Sequence, residues 1–187
     1  MRGSLEAFGS DELVECPRPV SVEVPLSRLY EEHFAFVWRS LRGLGVQMGQ
    51  LDDAVQEVFL VVHRRSSEFE RRSSLKTWLF GIAYRVAANA RRSARRRPAE
   101  SLVDEPHSED PSPEQNAARA ETARFVERFL SGVDEEQRAA FIACLLEEMS
   151  VPEAAEALGV NVNTLYSRVR AVRARFAAAL AQRETKR

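Results

Sequence analysis

Residues 163–173 carry side chains that can read DNA. If this stretch is helical, Asn163, Tyr166, Ser167 and Arg170 fall on the face opposite Leu165, Val169 and Val172. Hydrogen-bonding side chains on an exposed helix face can reach base edges in the major groove, and arginines can meet phosphates. The stretch therefore predicts a DNA-binding surface. Its candidate residues are Asn163, Thr164, Tyr166, Ser167, Arg168, Arg170 and Arg173.

The segment before this surface has the helix start and stop signals of a helix-turn-helix. Ser150 and Glu153 have the spacing of a helix N-cap and its partner, and Gly159 ends the short helix that they begin. The small residues Ala154 and Ala155 allow a second helix to approach closely. Residues 150–173 are therefore predicted to form a helix-turn-helix, whose second helix enters a major groove. A solvated helical hairpin without DNA contact is the alternative.

A second basic segment suggests another nucleic-acid surface. Residues 64–97 contain eleven Lys and Arg residues and two acids. Cations beside an aromatic side chain suit unstacked bases, because stacking accepts any base and the charges hold the backbone. Composition alone nevertheless favours Phe69 and Trp78 as core residues. The candidate residues are Phe69, Arg71, Arg72, Ser73, Lys76, Arg85, Asn89 and Arg92.

An acidic helix face precedes this basic segment. Apolar residues recur with helical spacing between 51 and 62, while Asp53, Gln56 and Glu57 lie on another face. The adjacent Asp52 and Asp53 point about 100° apart on a helix, so they do not form a catalytic carboxylate pair. Asp52 is interpreted as a helix cap.

These surfaces belong to two predicted helical domains. Apolar stripes of helical period fill residues 26–97 and 115–183, and no useful stretch alternates with period two. Residues 98–114 carry four prolines and six acids without Lys or Arg, and residues 1–25 carry three prolines. We therefore expect an all-α fold: a disordered extension (1–25), a first domain (26–97), a flexible acidic Pro-rich linker (98–114) and a helix-turn-helix domain (115–183).

The total charge hides this organisation. The 187 residues contain 27 Lys and Arg residues against 28 Asp and Glu residues, which on its own argues against a nucleic-acid partner. Two basic segments are, however, separated by the acidic linker. The near-neutral sum therefore does not exclude DNA binding.

Several other functions are excluded by missing motifs. No GxxxxGK[ST] loop, HExxH helix or GxSxG elbow is present, and Cys16 and Cys144 form neither a disulfide framework nor a zinc site. No apolar run reaches the roughly 18 residues of a membrane span. The sequence therefore predicts a cytoplasmic protein that is not an enzyme, with no metal, no cofactor and no membrane insertion.

Two motifs together resemble a known family. Residues 51–64 and 75–92 resemble the second conserved region of bacterial RNA polymerase sigma factors of the extracytoplasmic-function (ECF) class, and residues 150–173 resemble their fourth region. The order and separation of the two regions are more specific than either motif alone. The resemblance covers about residues 26–183.

The resemblance implies a role for each surface. Asp53, Gln56, Glu57 and Leu60 match the contact with core RNA polymerase, through the clamp helices of the β′ subunit, with the β subunit as a further partner. The Phe69–Arg92 candidates match the part that melts the promoter's minus-ten element by flipping a base. The candidates on residues 163–173 match the minus-thirty-five reader. An anti-sigma factor is also implied.

Three residues depart from the commonest family pattern. Arg85 stands where many members have Asn or a small polar residue, and Tyr166 and Arg170 are not the commonest residues at their positions. The bases read cannot therefore be copied from another member. Two other functions stay open from the residues alone: a conventional helix-turn-helix regulator that binds DNA without polymerase, and a protein-interaction adaptor without DNA contact.

Overall fold

A computed structural model describes residues 26–66, 69, 73–96 and 113–185. Within these ranges all regular structure is helical, which confirms the predicted all-α fold. The predicted N-terminal extension and most of the predicted linker lie outside the described residues. The helices are α1 (Leu26–Gly43), α2 (Leu51–Arg64), α3 (Leu75–Arg96), α4 (Pro113–Ser131), α5 (Glu135–Phe141), α6 (Val151–Leu158) and α7 (Val162–Thr185).

Helices α1, α2 and α3 pack against one another to form the first domain. The predicted stripe of α2 is buried, with Val58 fully inaccessible and Leu51 and Val62 1% exposed. Helix α2 begins at Leu51 after the N-cap Gln50, so the interpretation of Asp52 as the cap is wrong. Asp52 lies instead in the first turn of the helix, where a carboxylate stabilises the N-terminal dipole.

The helices of the second part begin at the predicted caps. The backbone N–H of Gln137 donates to Asp134 Oδ1 at 2.7 Å, which starts α5. Ser150 and Glu153 form a reciprocal capping box at the start of α6, and Gly159 ends this helix at a φ of 67°. Since that φ is left-handed, glycine is the residue that suits this turn.

Helix α7 carries the predicted apolar stripe into the core. Leu165 and Val172 are fully buried and Val169 is 4% exposed, while Leu180, further along, is exposed. The Phe176 ring lies 4.9 Å from that of Phe141, measured between centroids. These contacts hold α7 against α4 and α5, and its opposite face is left to solvent.

The two predicted domains are in direct contact through α3 and α6. A Cβ atom added to Gly81 would lie 3.0 Å from the carbonyl oxygen of Ala157. A side chain at this position would press against the backbone of α6, so glycine suits the close approach of the two helices. None of the described helices is both long and apolar enough to cross a membrane.

The capping box gives a stability prediction. Replacing Ser150 with Ala should lower the free energy of unfolding by about 1 kcal/mol, because an N-cap hydroxyl is lost. Urea unfolding followed by circular dichroism measures this loss. Ser27→Ala, in the first turn of α1, is the control and should change stability little.

The same variant should show a defined pH dependence. Hydrogen bonds from Ser150 lower the pKa of Glu153 from its ordinary 4.5. A lowered folded-state pKa stabilises the protein above the unfolded pKa, and this contribution is lost as the pH falls through the folded pKa. The difference between wild type and Ser150→Ala should therefore shrink below about pH 4.5. A difference that stays constant down to acid unfolding would contradict this role for the carboxylate.

Candidate functional site

One face of α2 presents the predicted polymerase-binding residues to solvent. Asp53, Gln56, Glu57 and Leu60 are all exposed, and the Leu60 side chain is 51% exposed. They project from a helix whose other side is fixed in the core, so the face is rigid. An acidic rigid face with one apolar residue suits a basic partner surface.

An open groove of about 470 Å³ lies beside this face. Leu26, Tyr30 and Phe34 of α1 line one side of the groove, and Gln56 and Leu60 of α2 line the other. The Tyr30 ring packs 4.7 Å from that of Phe59, measured between centroids. Leu26 and Tyr30 did not emerge from the sequence, since nothing in the periodicity of α1 places them next to α2.

The candidate minus-ten residues of α3 divide into two groups. Arg85, Asn89 and Arg92 are exposed, and the Arg92 guanidinium donates a hydrogen bond to Asn89 Oδ1. Lys76 is exposed as well, but its ammonium also donates to the backbone oxygen of Glu147 in the second domain at 2.8 Å. The interdomain contact therefore reaches Lys76, while Arg85, Asn89 and Arg92 on the outer face of α3 stay accessible.

The loop before α3 carries the remaining candidates. Phe69 and Trp78 pack together, with ring centroids 5.1 Å apart, and both are half-buried. The two rings therefore pack against each other at the edge of the first domain, outside its fully buried core. Ser73 is half-buried, and Arg71 and Arg72 lie outside the described residues.

The exposed face of α7 gathers the minus-thirty-five candidates. The Asn161 side chain accepts from the backbone N–H of Asn163 at 2.8 Å, which starts the helix. The Tyr166 side chain is 55% exposed. Further exposed candidates on this face are Asn163, Thr164, Ser167, Arg170 and Arg173.

Arg168 is the exception among the candidates on α7. Its guanidinium pairs with the Glu136 carboxylate of α5, and its side chain is 21% exposed. A phosphate contact would require Arg168 to leave this carboxylate. Arg175, further along α7, donates instead to Gln137 Oε1 and to the Gly132 backbone oxygen.

Charged side chains that are partly or fully buried lie where the two domains meet. Burial lowers the pKa of the Arg138 guanidinium, nearby Arg91 lowers it further, and Glu135 opposes both. Arg91 pairs with Glu135, so one carboxylate compensates two neighbouring cations. Glu147, which is 6% exposed, lies between Arg39 and Lys76.

The sequence gives no signal for the position of Glu147. Glu147 and Glu148 are adjacent and chemically identical, yet Glu147 is buried and Glu148 is exposed. Their difference depends on a π-helical segment, Ile142–Leu146, and on a φ of 54° at Glu148. Neither the π-helical segment nor the positive φ at Glu148 can be predicted from the pattern of hydrophobic residues.

Nucleophilic or metal chemistry has little support in the described part of the chain. Burial raises the pKa of the Cys144 thiol, although nearby Arg173 opposes this shift. Burial therefore favours the neutral thiol, which is a poor nucleophile. No group of three or more His, Cys, Asp or Glu side chains among the described residues could hold a metal ion.

Family models match both domains. The model for Sigma-70 region 2 matches residues 29–97, and that for Sigma-70, region 4 matches residues 126–176. The ECF RNA polymerase sigma factor SigM of Mycobacterium tuberculosis is 31% identical over 150 residues, which cover 80% of this chain and 74% of SigM. The chain belongs to the ECF RNA polymerase sigma factors. It is a polymerase-binding subunit that directs transcription initiation.

Solved structures agree with this assignment. The structure of CnrH in complex with the cytosolic domain of CnrY aligns with a TM-score of 0.63 at 25% identity, over 84% of this chain and 88% of CnrH. The sigma factor RpoE of Bartonella quintana, in complex with the anti-sigma factor NepR, aligns with a TM-score of 0.58 at 23% identity. That alignment covers 82% of this chain and 98% of RpoE, and it supports the fold.

The ion pair between Arg168 and Glu136 gives a prediction about DNA affinity. Glu136→Ala should strengthen binding to double-stranded DNA by about twofold to fivefold, because Arg168 no longer has a competing carboxylate. Fluorescence anisotropy with a labelled duplex at fixed salt measures the affinity. Glu31→Ala on α1 removes the same charge far from α7 and should leave the affinity unchanged. Equal affinities for wild type and Glu136→Ala would show that Arg168 does not meet DNA.

Proposed function

We propose that the three surfaces divide the work of promoter recognition. The acidic face of α2 binds core polymerase, α3 with its preceding loop melts the minus-ten element, and α7 reads the minus-thirty-five element. The observation that carries this proposal is the pair of exposed polar faces on α2 and α7, each on a helix whose other side is buried. Both faces are therefore presented without any need for refolding.

The polymerase contact is the role we assign to Asp53, Gln56, Glu57 and Leu60. The partner is the clamp-helix region of the β′ subunit, and the β subunit is the second contact. Two acids and an apolar residue on one rigid face suit a basic helical surface, since the charges fix the orientation and Leu60 adds apolar burial. The neighbouring groove between α1 and α2 extends the same surface.

The minus-ten role falls to Phe69, Arg71, Arg72, Ser73, Lys76, Arg85, Asn89 and Arg92. Opening a promoter exposes unstacked bases, which need a cationic groove and a polar pocket. Exposed Arg85, Asn89 and Arg92 supply cations and a base-reading amide on one helix. Arg85 is larger and charged, whereas many members of the family have Asn or a small polar residue at this position. The flipped base therefore makes different contacts here from those it makes in such members.

The minus-thirty-five role falls to the candidates on α7. An Asn, a Tyr and several Arg residues on one exposed face can combine base contacts with phosphate contacts. The tether at residues 98–114 joins this domain to the first one. Each domain on its own binds DNA weakly, and the tether raises the effective concentration so that both engage together.

We also place the protein in the cytoplasm, where the polymerase acts, and assign it no enzymatic activity of its own. Two solved structures contain sigma factors in complex with partner chains: CnrH with the cytosolic domain of CnrY, and RpoE with the anti-sigma factor NepR. By analogy, an anti-sigma factor regulates this protein by covering one of its surfaces.

Reversal of one charge on α2 tests the polymerase contact. Glu57→Arg should weaken binding to core RNA polymerase at least about tenfold, because a basic side chain then faces a basic partner. Surface plasmon resonance with immobilised core polymerase measures the affinity. Glu184→Arg, in the last turn of α7, reverses the same charge away from α2 and should bind normally. Wild-type affinity for Glu57→Arg would remove α2 from the interface.

Truncation of one arginine on α7 tests promoter reading. Arg170→Ala should reduce transcription from promoters that carry the upstream element by about tenfold, since one base or phosphate contact is worth about 1–3 kcal/mol. Run-off transcription with reconstituted holoenzyme measures the yield. Arg28→Ala on α1 is the matched control. Equal losses for both variants would show that the effect is general charge and not promoter reading.

A further inference from the structure

The groove between α1 and α2 has an apolar lining that is open to solvent in the described part of the chain. Leu26, Tyr30 and Phe34 line its α1 side, and Val55 and Phe59 line its α2 side. Leu26 and Tyr30 are exposed, and Phe34 is half-buried. Large apolar side chains that are exposed together along one groove are typical of a surface that another segment covers.

The two ends of the groove differ. Helices α1 and α2 are joined by the short connection 44–50, so they run antiparallel. The Tyr30 ring of early α1 accordingly packs against the Phe59 ring of late α2. Leu26 therefore lies at one end of the groove, and Asp52, in the first turn of α2, lies at the other. The residues that precede Leu26 in the chain enter the groove at its apolar end, and its far end is acidic.

The sequence immediately before Leu26 has a pattern that matches this groove. Residues 18–25 read Arg-Pro-Val-Ser-Val-Glu-Val-Pro. A residue before proline favours an extended backbone, which applies to both Arg18 and Val24. In an extended segment alternate side chains share a face. One such face consists of Arg18, Val20, Val22 and Val24. Since an all-α fold offers no partner strand, this apolar face needs another cover.

The lengths of the segment and the groove agree. From Leu26 to Phe34, α1 rises by about 12 Å. An extended backbone from Val24 to Val20 covers about 13 Å. Arg18 then lies about 7 Å beyond the last valine, toward the acidic end of the groove.

We propose that residues 18–24, which lie outside the described part of the chain, dock in the groove between α1 and α2. The segment runs antiparallel to α1 after a turn at Pro25. Its three valines lie against the aromatic side chains of the groove, and the Arg18 guanidinium lies beside the Asp52 carboxylate.

This occupant is favoured over a separate partner by its connection to the groove. Only Pro25 separates the segment from Leu26 at the end of the groove. A segment attached in this way has a high effective concentration at the groove. The opposite charges of Arg18 and Asp52 fix the direction in which the segment lies.

The docked segment covers part of the surface that we assign to core polymerase, and this consequence rests on the proposed function. Gln56 and Leu60 line the groove and also belong to the proposed polymerase contact. Asp53 and Glu57 do not line the groove and stay exposed. Polymerase therefore binds fully only when the segment leaves, which lowers its apparent affinity by the fraction of molecules with an open groove.

A spin label on the native Cys16 tests where the segment lies. Cys16 is two residues before Arg18, and the only other cysteine, Cys144, is buried with a raised pKa, so it reacts slowly. Mass spectrometry checks that each chain carries one label. The nitroxide should broaden the NMR methyl signals of Val55, at the acidic end of the groove, and leave those of Val169 in α7 unchanged. Reduction of the nitroxide should restore the Val55 signals.

A matched pair of variants tests the apolar face. Val22→Asp places a charge on the face with the valines and should abolish the broadening of Val55, because a charge is costly to bury in an apolar groove. Ser21→Asp adds the same charge to the opposite face and should keep the broadening.

Charge reversal tests the predicted ion pair. Arg18→Glu and Asp52→Arg should each weaken the broadening of Val55, and the double variant should restore it, because the pair is then reversed. Arg2→Glu makes the same charge change earlier in the chain and should match wild type. Circular dichroism checks that Asp52→Arg keeps its helical content.

Every result supports or overturns the proposal. Broadening of Val55 that is lost in Val22→Asp and kept in Ser21→Asp supports docking. No broadening in wild type overturns it, as does an equal effect of the two variants. Broadening of isotope-labelled chains by separate spin-labelled chains overturns the intramolecular arrangement and assigns the groove to a second copy. A double charge variant that does not recover overturns the pair of Arg18 with Asp52.

Binding to core polymerase tests the consequence separately. Deletion of residues 1–24 and Val22→Asp should each tighten binding about threefold to tenfold in surface plasmon resonance, because the groove is open in more molecules. Ser21→Asp should bind like wild type. If no form of the protein binds core polymerase, the proposed function is refuted and the NMR result stands. Unchanged affinity in Val22→Asp, with docking lost, would refute the overlap of the two surfaces.

Discussion

The packing of α3 is the constraint on which the rest of the structure depends. One side of this helix contacts α1 and α2, and a second side contacts α6 through the close approach of Gly81 and Ala157. What remains is the exposed strip with Arg85, Asn89 and Arg92. The same helix therefore builds the first domain, docks the second and carries the surface proposed to melt DNA.

Helix positions and buried faces could be predicted from the sequence because they follow from local rules. The apolar stripes of α2 and α7 could be predicted from their 3.6-residue period. The caps at Asp134 and Ser150 could be predicted from short capping motifs. The exposure of the α7 face follows directly from its buried stripe. The prediction for Asp52 was wrong, because the helix begins two residues earlier than predicted and this places Asp52 in the first turn after the N-cap Gln50.

The contacts between the domains were not predictable because they have no local signature. Glu147 differs from Glu148 only through a sharp turn and a buried neighbourhood that the tertiary fold creates. The pairing of Arg168 with Glu136 and that of Arg91 with Glu135 likewise join residues far apart in the chain. The near balance of acids and bases in the composition now has a partial physical explanation. Two of the cations proposed to meet DNA, Arg168 and Lys76, lie beside carboxylates in this arrangement.

We propose that this protein confers promoter specificity on core RNA polymerase through two domains acting together. The most direct measurement is transcription of genomic DNA fragments by core polymerase, with and without the protein, and mapping of the transcript 5′ ends. We expect a discrete set of start sites that appear only when the protein is added, each preceded by shared minus-ten and minus-thirty-five sequences. An identical transcript pattern in both reactions would contradict it.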